Sequence, residues 1–294
     1  MNHIEEKWNW GMLSKHRAAM MGVAIITIIL YHGNKTKMIF GGPFGLLDWM
    51  LSNGNIGVEI FLFLSGFGLY VSFSRNQSVI NFYKKRLLRV VIPYLLLGGS
   101  FLVAEDLIRV HMKRKSGLYI VKDFTHFFSD LTLWSFWSDG SKKFWYIALI
   151  IVLYLLFPVF YHTIFPKNQR KNSGIRWLCW LVVMIVAIIW IRSHHLSWYQ
   201  STEIALTRFP IFLGGVFCGP KIVSKEPVNK KDGLVLAILV AIGGYFVATH
   251  HFSGIYRRYY FTVVSVFLCA LLSILLDVIQ KLFKKEASGI MVEA

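Results

Sequence analysis

His32, Glu59 and Arg208 are ionisable residues set inside long apolar runs. An ionisable group in a lipid-embedded helix is costly to desolvate and usually faces a bundle interior or a watery cavity, so each marks a candidate site. Glu59 stands just inside NIGVEIFLFLSGFGLY (55–70), His32 near the end of RAAMMGVAIITIILYHG (17–33), and Arg208 early in the run that begins at 204. The types suit proton chemistry. A desolvated imidazole stays neutral, as a general base requires, and a nearby carboxylate can stabilise the imidazolium that forms. A second set lies in NFYKKRLLRVVIPYLL (81–96), where Arg86 and Arg89 fall three apart on one helical face beside Lys84 and Lys85. Paired guanidiniums suit phosphate through bidentate hydrogen bonds, although basic anchors against lipid headgroups share that spacing.

These residues need membrane-spanning elements to hold them. The chain has 294 residues, 55% of them hydrophobic and 16% charged, and a mean hydropathy of +0.53, too apolar for a soluble globular protein. Apolar runs near 18–38, 56–73, 90–108, 144–165, 176–193, 204–220, 233–250 and 258–280 predict an all-α, polytopic transmembrane bundle of about 8 spans forming a single domain. The net charge of +17 then reads as cytoplasmic loops held against anionic lipid, and nucleic acid is not an expected partner. With the N-terminus cytoplasmic, the inner segments carry the larger share of Lys and Arg, as the positive-inside rule requires. The aromatic segment 119–137 contains Lys122, Asp123, His126 and Asp130; counting it as a span reverses the charge bias, so it is expected to lie on the outer surface as an interfacial amphipathic segment. The N-terminal residues lack the pattern of a cleaved signal peptide.

The topology assigns depths. Glu59 falls roughly 5 Å and His32 roughly 9 Å below the outer interface at 1.5 Å per residue. Arg208 enters from the same side, and Trp145 and Tyr146 begin a span there, so all five are expected in one outer layer, with Arg208, Trp145 and Tyr146 as substrate-binding candidates. The competing reading is a structural Glu59–Arg208 ion pair with a core histidine. Arg17 starts the first span at the inner side with Arg86, Arg89 and Lys85. Fifteen residues separate Arg17 from His32, about 22 Å of helix, so a ligand joining the two layers must be long and carry phosphate at its cytoplasmic end.

At this point the chain resembles the acyltransferase-3 family of integral membrane O-acyltransferases. RAAMMGVAIITIILYHG is similar to the family's first-helix block ending in histidine, GNIGVEIFLFLSGFGLYVS to its second-helix signature, and RLLRVVIPYLL to its Arg-x-x-Arg block followed by proline. FWYIALIIVLYLLFP and RFPIFLGGVFCG resemble later blocks in order. The resemblance implies transfer of an acyl group, typically acetyl, from cytoplasmic acyl-coenzyme A to a hydroxyl of an envelope glycan or lipid-linked sugar outside the plasma membrane. No permanently bound cofactor and no metal is expected. The resemblance makes His32 the catalytic base, places Arg17 and Glu59 at catalytic motif positions, and sets Arg86, Arg89 and Lys85 against the donor. Family members often carry the first-helix arginine where this chain has Met21, and a late Ser, Tyr and His block that is not found here, so a C-terminally truncated chain is expected.

Other chemistry is less well supported. His194–His195 and His250–His251 fall at span ends without a carboxylate at ligand spacing. Cys179, Cys218 and Cys269 lie in apolar runs with no CxxC spacing. Ser65 is expected to permit close helix packing rather than act as a nucleophile, and Tyr154 and Pro158 to shape their helix. The runner-up function is a non-enzymatic membrane carrier or an inactive paralogue; broken helices and charges midway through spans would favour it.

Overall fold

The computed structural model describes residues 8–35, 51–113, 117–229, 255–290 and parts of 233–245. Among these residues all the regular elements are helical, and extended pairing is limited to an isolated bridge between Asn9 and Pro227. Six helices are long and apolar enough to cross a membrane, at Ile56–Arg75, Val79–Ile108, Trp145–Ile164, Ser173–His194, Leu196–Val223 and Tyr256–Phe283, and Arg17–Gly33 is a shorter apolar helix. The expected span at 233–250 lies largely outside the described residues. Lipid explains the exposed surface: Ser173–His194 buries none of its residues, and Ile175, Leu178, Val182, Val186 and Ile189 stand outward along it.

The chain divides into two compact units, Met1–Ser72 with Pro210–Ala294, and Phe73–Phe209. The first contains α1 (Gly11–Lys15), α2 (Arg17–Lys35), α3 (Ile56–Arg75, through Ser72) and two later helices. Small residues set its packing. A Cβ on Gly57 would lie 2.5 Å from the Ala24 carbonyl and 2.6 Å from Thr27 Oγ1, so α2 and α3 run antiparallel almost backbone to backbone. Further along α3, Gly66 faces the Phe212 carbonyl, and Gly215 faces that of Phe63. Ser65, buried beside this contact, fits the packing role expected of it.

In the second unit the loop expected at 75–89 shrinks to Asn76–Ser78. Ser78 caps α4 (Val79–Pro93) by accepting from Asn81 N at 3.4 Å. Pro93 has no N–H to donate, and a π-helical turn, Tyr94–Gly98, follows it before α5 (Gly99–Lys113). The segment 119–137 is two short helices, α6 (Gly117–Leu131) and α7 (Trp134–Asp139), parted by a turn in which Leu133 takes φ 63°. Neither spans. The Tyr94 hydroxyl donates to the Asp130 and Leu131 carbonyls at 2.9 and 3.1 Å, tying the end of α6 to the π turn. Lys143 clasps the same corner, with Nζ 2.7 Å from Glu105 and 3.2 Å from Asp130. Burial alone would depress its ammonium, but the hydrogen bonds to Glu105 and Asp130 outweigh burial and hold it above the usual lysine range.

Beyond that corner come α8 (Trp145–Ile164), α9 (Ser173–His194) and α10 (Leu196–Leu206). Phe82 stacks on Phe157 at 5.1 Å, and Phe73 meets both edge-on. The first unit then resumes with α11 (Phe209–Val223) and α12 (Ile255–Ile290).

Candidate active site

α2 is unbroken from Arg17 to Lys35, so Arg17 and His32 sit at its two ends as the spacing predicts. Arg17 faces α3. Its Nε donates to the Leu64 carbonyl at 3.0 Å, its guanidinium carbon lies 6.0 Å from the Phe67 ring centroid, and Gly68 leaves room for it: a Cβ there would come within 2.8 Å of the guanidinium. His32 is exposed, with Tyr31 edge-on at 5.2 Å. At 100° per residue His32 shares the exposed flank of Ile25 and Ile29, about a quarter turn from the face of Ala24, Thr27 and Tyr31 that packs on α3.

Glu59 is fully buried at 0% exposure. The Gly57 contact puts Gly57 near the level of residue 26 of α2, and so Glu59, two residues further along the antiparallel α3, near that of residue 24; the Glu59 and His32 backbones therefore differ in level by roughly 12 Å, with Glu59 the farther from that end of α2. The expected ordering of the two depths is therefore reversed. The sequence argument started both helices flush with the interface. The turn at 53–55 instead tucks under Thr27 and Tyr31, where Gly54 lets the chain approach the Thr27 carbonyl, and α3 begins well below the end of α2.

Arg208 belongs to the second unit, where it meets Trp145. Its guanidinium carbon lies 4.9 Å from the Trp145 ring centroid, and the Trp145 and Tyr146 rings are 5.9 Å apart. Arg208 is 3% exposed. The membrane-length segment Leu196–Val223 that contains it is interrupted by a turn at Thr207–Arg208. Pro210 cannot supply the N–H that would bond the Leu206 carbonyl, and Arg208 Nη1 donates back to the Ile204 carbonyl at 2.6 Å. A cation at this C-terminus also suits the helix dipole.

Arg86 and Arg89 lie three apart on α4, Arg86 half-buried and Arg89 and Lys85 exposed. Tyr83, one turn earlier, donates to the Leu155 carbonyl at 2.8 Å and fixes this part of α4 on α8. Tyr154, expected only to shape α8, is an electrostatic neighbour of Arg86. His194 and His195 both pack on Trp190, at 5.0 and 5.7 Å, while His250 and His251 lie outside the described residues. Among the described residues no group of His, Cys, Asp or Glu side chains comes together to hold a metal ion.

Sequence reasoning passed over Asp277 on α12. Its carboxylate lies 2.5 Å from Lys15 Nζ, 3.4 Å from His16 Nε2 and 2.9 Å from Lys281 Nζ. The signal was available, since Asp277 is an acid in an apolar run just as Glu59 is.

An all-helical protein with several membrane-length helices, a buried acid, and a histidine and an arginine at opposite ends of one helix belongs to the class of multi-pass membrane proteins with polar sites on their helices. A family model described as an acyltransferase domain, acyltransferase-3, matches residues 19–286. The chain belongs to that family and is a multi-pass membrane acyltransferase, transferring groups other than aminoacyl groups. Comparisons with curated proteins and with solved structures gave no significant match.

Proposed function

We propose that the protein moves an acetyl group from cytoplasmic acetyl-coenzyme A to a hydroxyl of an envelope glycan or lipid-linked sugar on the outer side of the plasma membrane. The observation that carries this reading is the unbroken α2. It holds a cation and a potential base about 22 Å apart, which calls for a donor that is long, charged at one end and reactive at the other. Acyl-coenzyme A has that form.

Arg17 on the first unit and, taken separately, Arg86, Arg89 and Lys85 on the second are the cations that suit the donor's phosphates, guanidiniums matching them in bidentate fashion. Arg208, Trp145 and Tyr146 contact the acceptor, an aromatic face and a fork of N–H donors being suited to a sugar. His32 takes the proton of the acceptor hydroxyl as that oxygen attacks the thioester carbonyl. The tetrahedral intermediate collapses, the carbon–sulfur bond breaks, and the departing thiolate takes the proton from the imidazolium. The products are the ester and free coenzyme A. Glu59 stabilises the imidazolium at long range, across the roughly 12 Å that separate their levels.

The break at Thr207–Arg208 is of the kind found in carriers, and it favours the runner-up reading. Family membership favours group transfer. Labelled acetyl-coenzyme A supplied to reconstituted protein with candidate glycans tests the proposal. The wild type transfers label to a glycan hydroxyl, and His32→Ala binds donor but transfers none. A well-folded His32→Ala protein with normal transfer overturns the mechanism.

A further inference from the structure

Lys15, His16 and Arg17 place three basic residues in succession at the N-terminal end of α2, where the first turn contains no acid. The helix dipole puts partial positive charge at that same point, so this is the end at which cations are least welcome. The chain is also broken here. α1 ends at Lys15, His16 takes φ −100° and ψ 11°, and its carbonyl accepts from Met20 N at 3.0 Å as the first bond of α2.

An anion from a distant part of the chain offsets this accumulation of charge. Asp277 is 4% exposed and meets Lys15 and His16 across more than 260 positions of sequence. Lys281, one turn along its own helix, lies 2.9 Å from the other carboxylate oxygen, so Asp277 would have a counter-ion without the N-terminal segment. Lys15 and His16 are therefore additional partners, and what they bring to α12 is the residue pair immediately before Arg17. The Trp8 indole strengthens the attachment by donating to Ser273 Oγ at 2.8 Å, one turn earlier on α12. Residues 8–16 precede the family match, which begins at residue 19, while Ser273 and Asp277 lie within it.

We infer that Asp277 is a positioning residue: by fixing Lys15 and His16 it sets where α2 begins, and so holds Arg17 over Gly68 with its Nε on the Leu64 carbonyl. The segment has two anchors, Asp277 on one side of the break and Leu64 on the other. Removing the first leaves the Lys15 and Arg17 cations close together at a helix N-terminus, and the first turn of α2 loosens. The functional consequence rests on the reading of Arg17 as a donor contact.

The test uses the full-length protein in nanodiscs, with a spin label on a cysteine at the exposed Ser14 and the native cysteines replaced. Asp277→Asn is expected to raise the label's mobility and to weaken acetyl-coenzyme A binding by about tenfold, as expected for the loss of a charge-assisted contact. Arg17→Ala should weaken binding to the same extent, and the double variant no further, because the two residues act through one contact. Asp277→Glu should restore both readouts. An unmoved label in Asp277→Asn overturns the inference, as do Asp277→Asn and Arg17→Ala losses that add. If Arg17→Ala leaves donor binding and turnover unchanged, the reading of Arg17 fails separately, and the label alone decides the anchoring: mobile supports it, unmoved overturns it.

Discussion

Charges separated by a membrane-depth act on different steps, and variants at single residues should divide accordingly. Arg86→Ala and Arg89→Ala are each expected to weaken acetyl-coenzyme A binding by about 1.5–3 kcal/mol, the loss of charge-assisted hydrogen bonds to phosphate, with little effect on the rate at saturating donor. Isothermal titration on both variants checks this, and unchanged affinity in both would make these arginines lipid anchors. Glu59 is a subtler case. Its level lies about 12 Å from that of His32, and at an effective dielectric near 20 two unit charges at that separation interact by about 1.4 kcal/mol. Glu59→Gln should therefore slow turnover by about tenfold and leave donor affinity alone. A thousandfold loss in a well-folded variant would instead require direct carboxylate–imidazole contact. Residue identity was readable from sequence because a charge in an apolar run is conspicuous, and that rule found Glu59, His32 and Arg208. Their spatial relation was not, since it depends on where each helix starts, and the turn at 53–55 that lowers α3 shows no apolar periodicity. The same rule applied to Asp277 would have found the anchor of the N-terminal segment.

In the first unit the helices that carry Arg17, His32 and Glu59 approach closely through their backbones at glycine, as expected where lipid is as apolar as the helices it surrounds. Gly66 and Gly215 interlock α3 with α11, each presenting its bare Cα to a carbonyl of the other helix. A side chain at either place meets backbone, which cannot swing aside. Gly215→Val should cost about 1–3 kcal/mol of stability, the usual penalty of overpacking, and reduce transfer because α3 carries both Glu59 and the seat of Arg17. Melting temperature and turnover measured together check it; a variant with normal values for both would show that the two helices can separate freely. GFGLY and LGG in the sequence signal small-residue packing, but not which helix each glycine meets. Proline was the more legible signal. Pro93 and Pro210 announce a π turn and a local helix break that hydropathy windows smooth over, so the turn that Arg208 occupies inside the Leu196–Val223 segment was not foreseen.

At the scale of the whole molecule, charge asymmetry and hydropathy together state a topology. Apolar runs marked helices of membrane length in the described chain, and the segment 119–137 was excluded because a ninth span would reverse the positive-inside bias. Its division into α6 and α7, neither long enough to cross, agrees with that exclusion. What hydropathy could not foresee was the grouping of the chain into two units, which depends on contacts between helices far apart in sequence. The orientation itself makes a direct prediction. If the N-terminus is cytoplasmic, the turn at 76–78 is inside and α7 with its flanking loops is outside. Gln77 and Ser138 are both exposed, so a cysteine at either would be open to reagent on its own side. With Cys179, Cys218 and Cys269 replaced, a membrane-impermeant maleimide added to intact cells should label Ser138→Cys and spare Gln77→Cys, and breaking the membrane should make the second reactive. The reverse pattern would invert the protein and move Arg86 and Arg89 to the face where no coenzyme A is available. The proposed donor site would then fail with the topology, because a phosphate-binding cluster is useful only on the side where the donor is made.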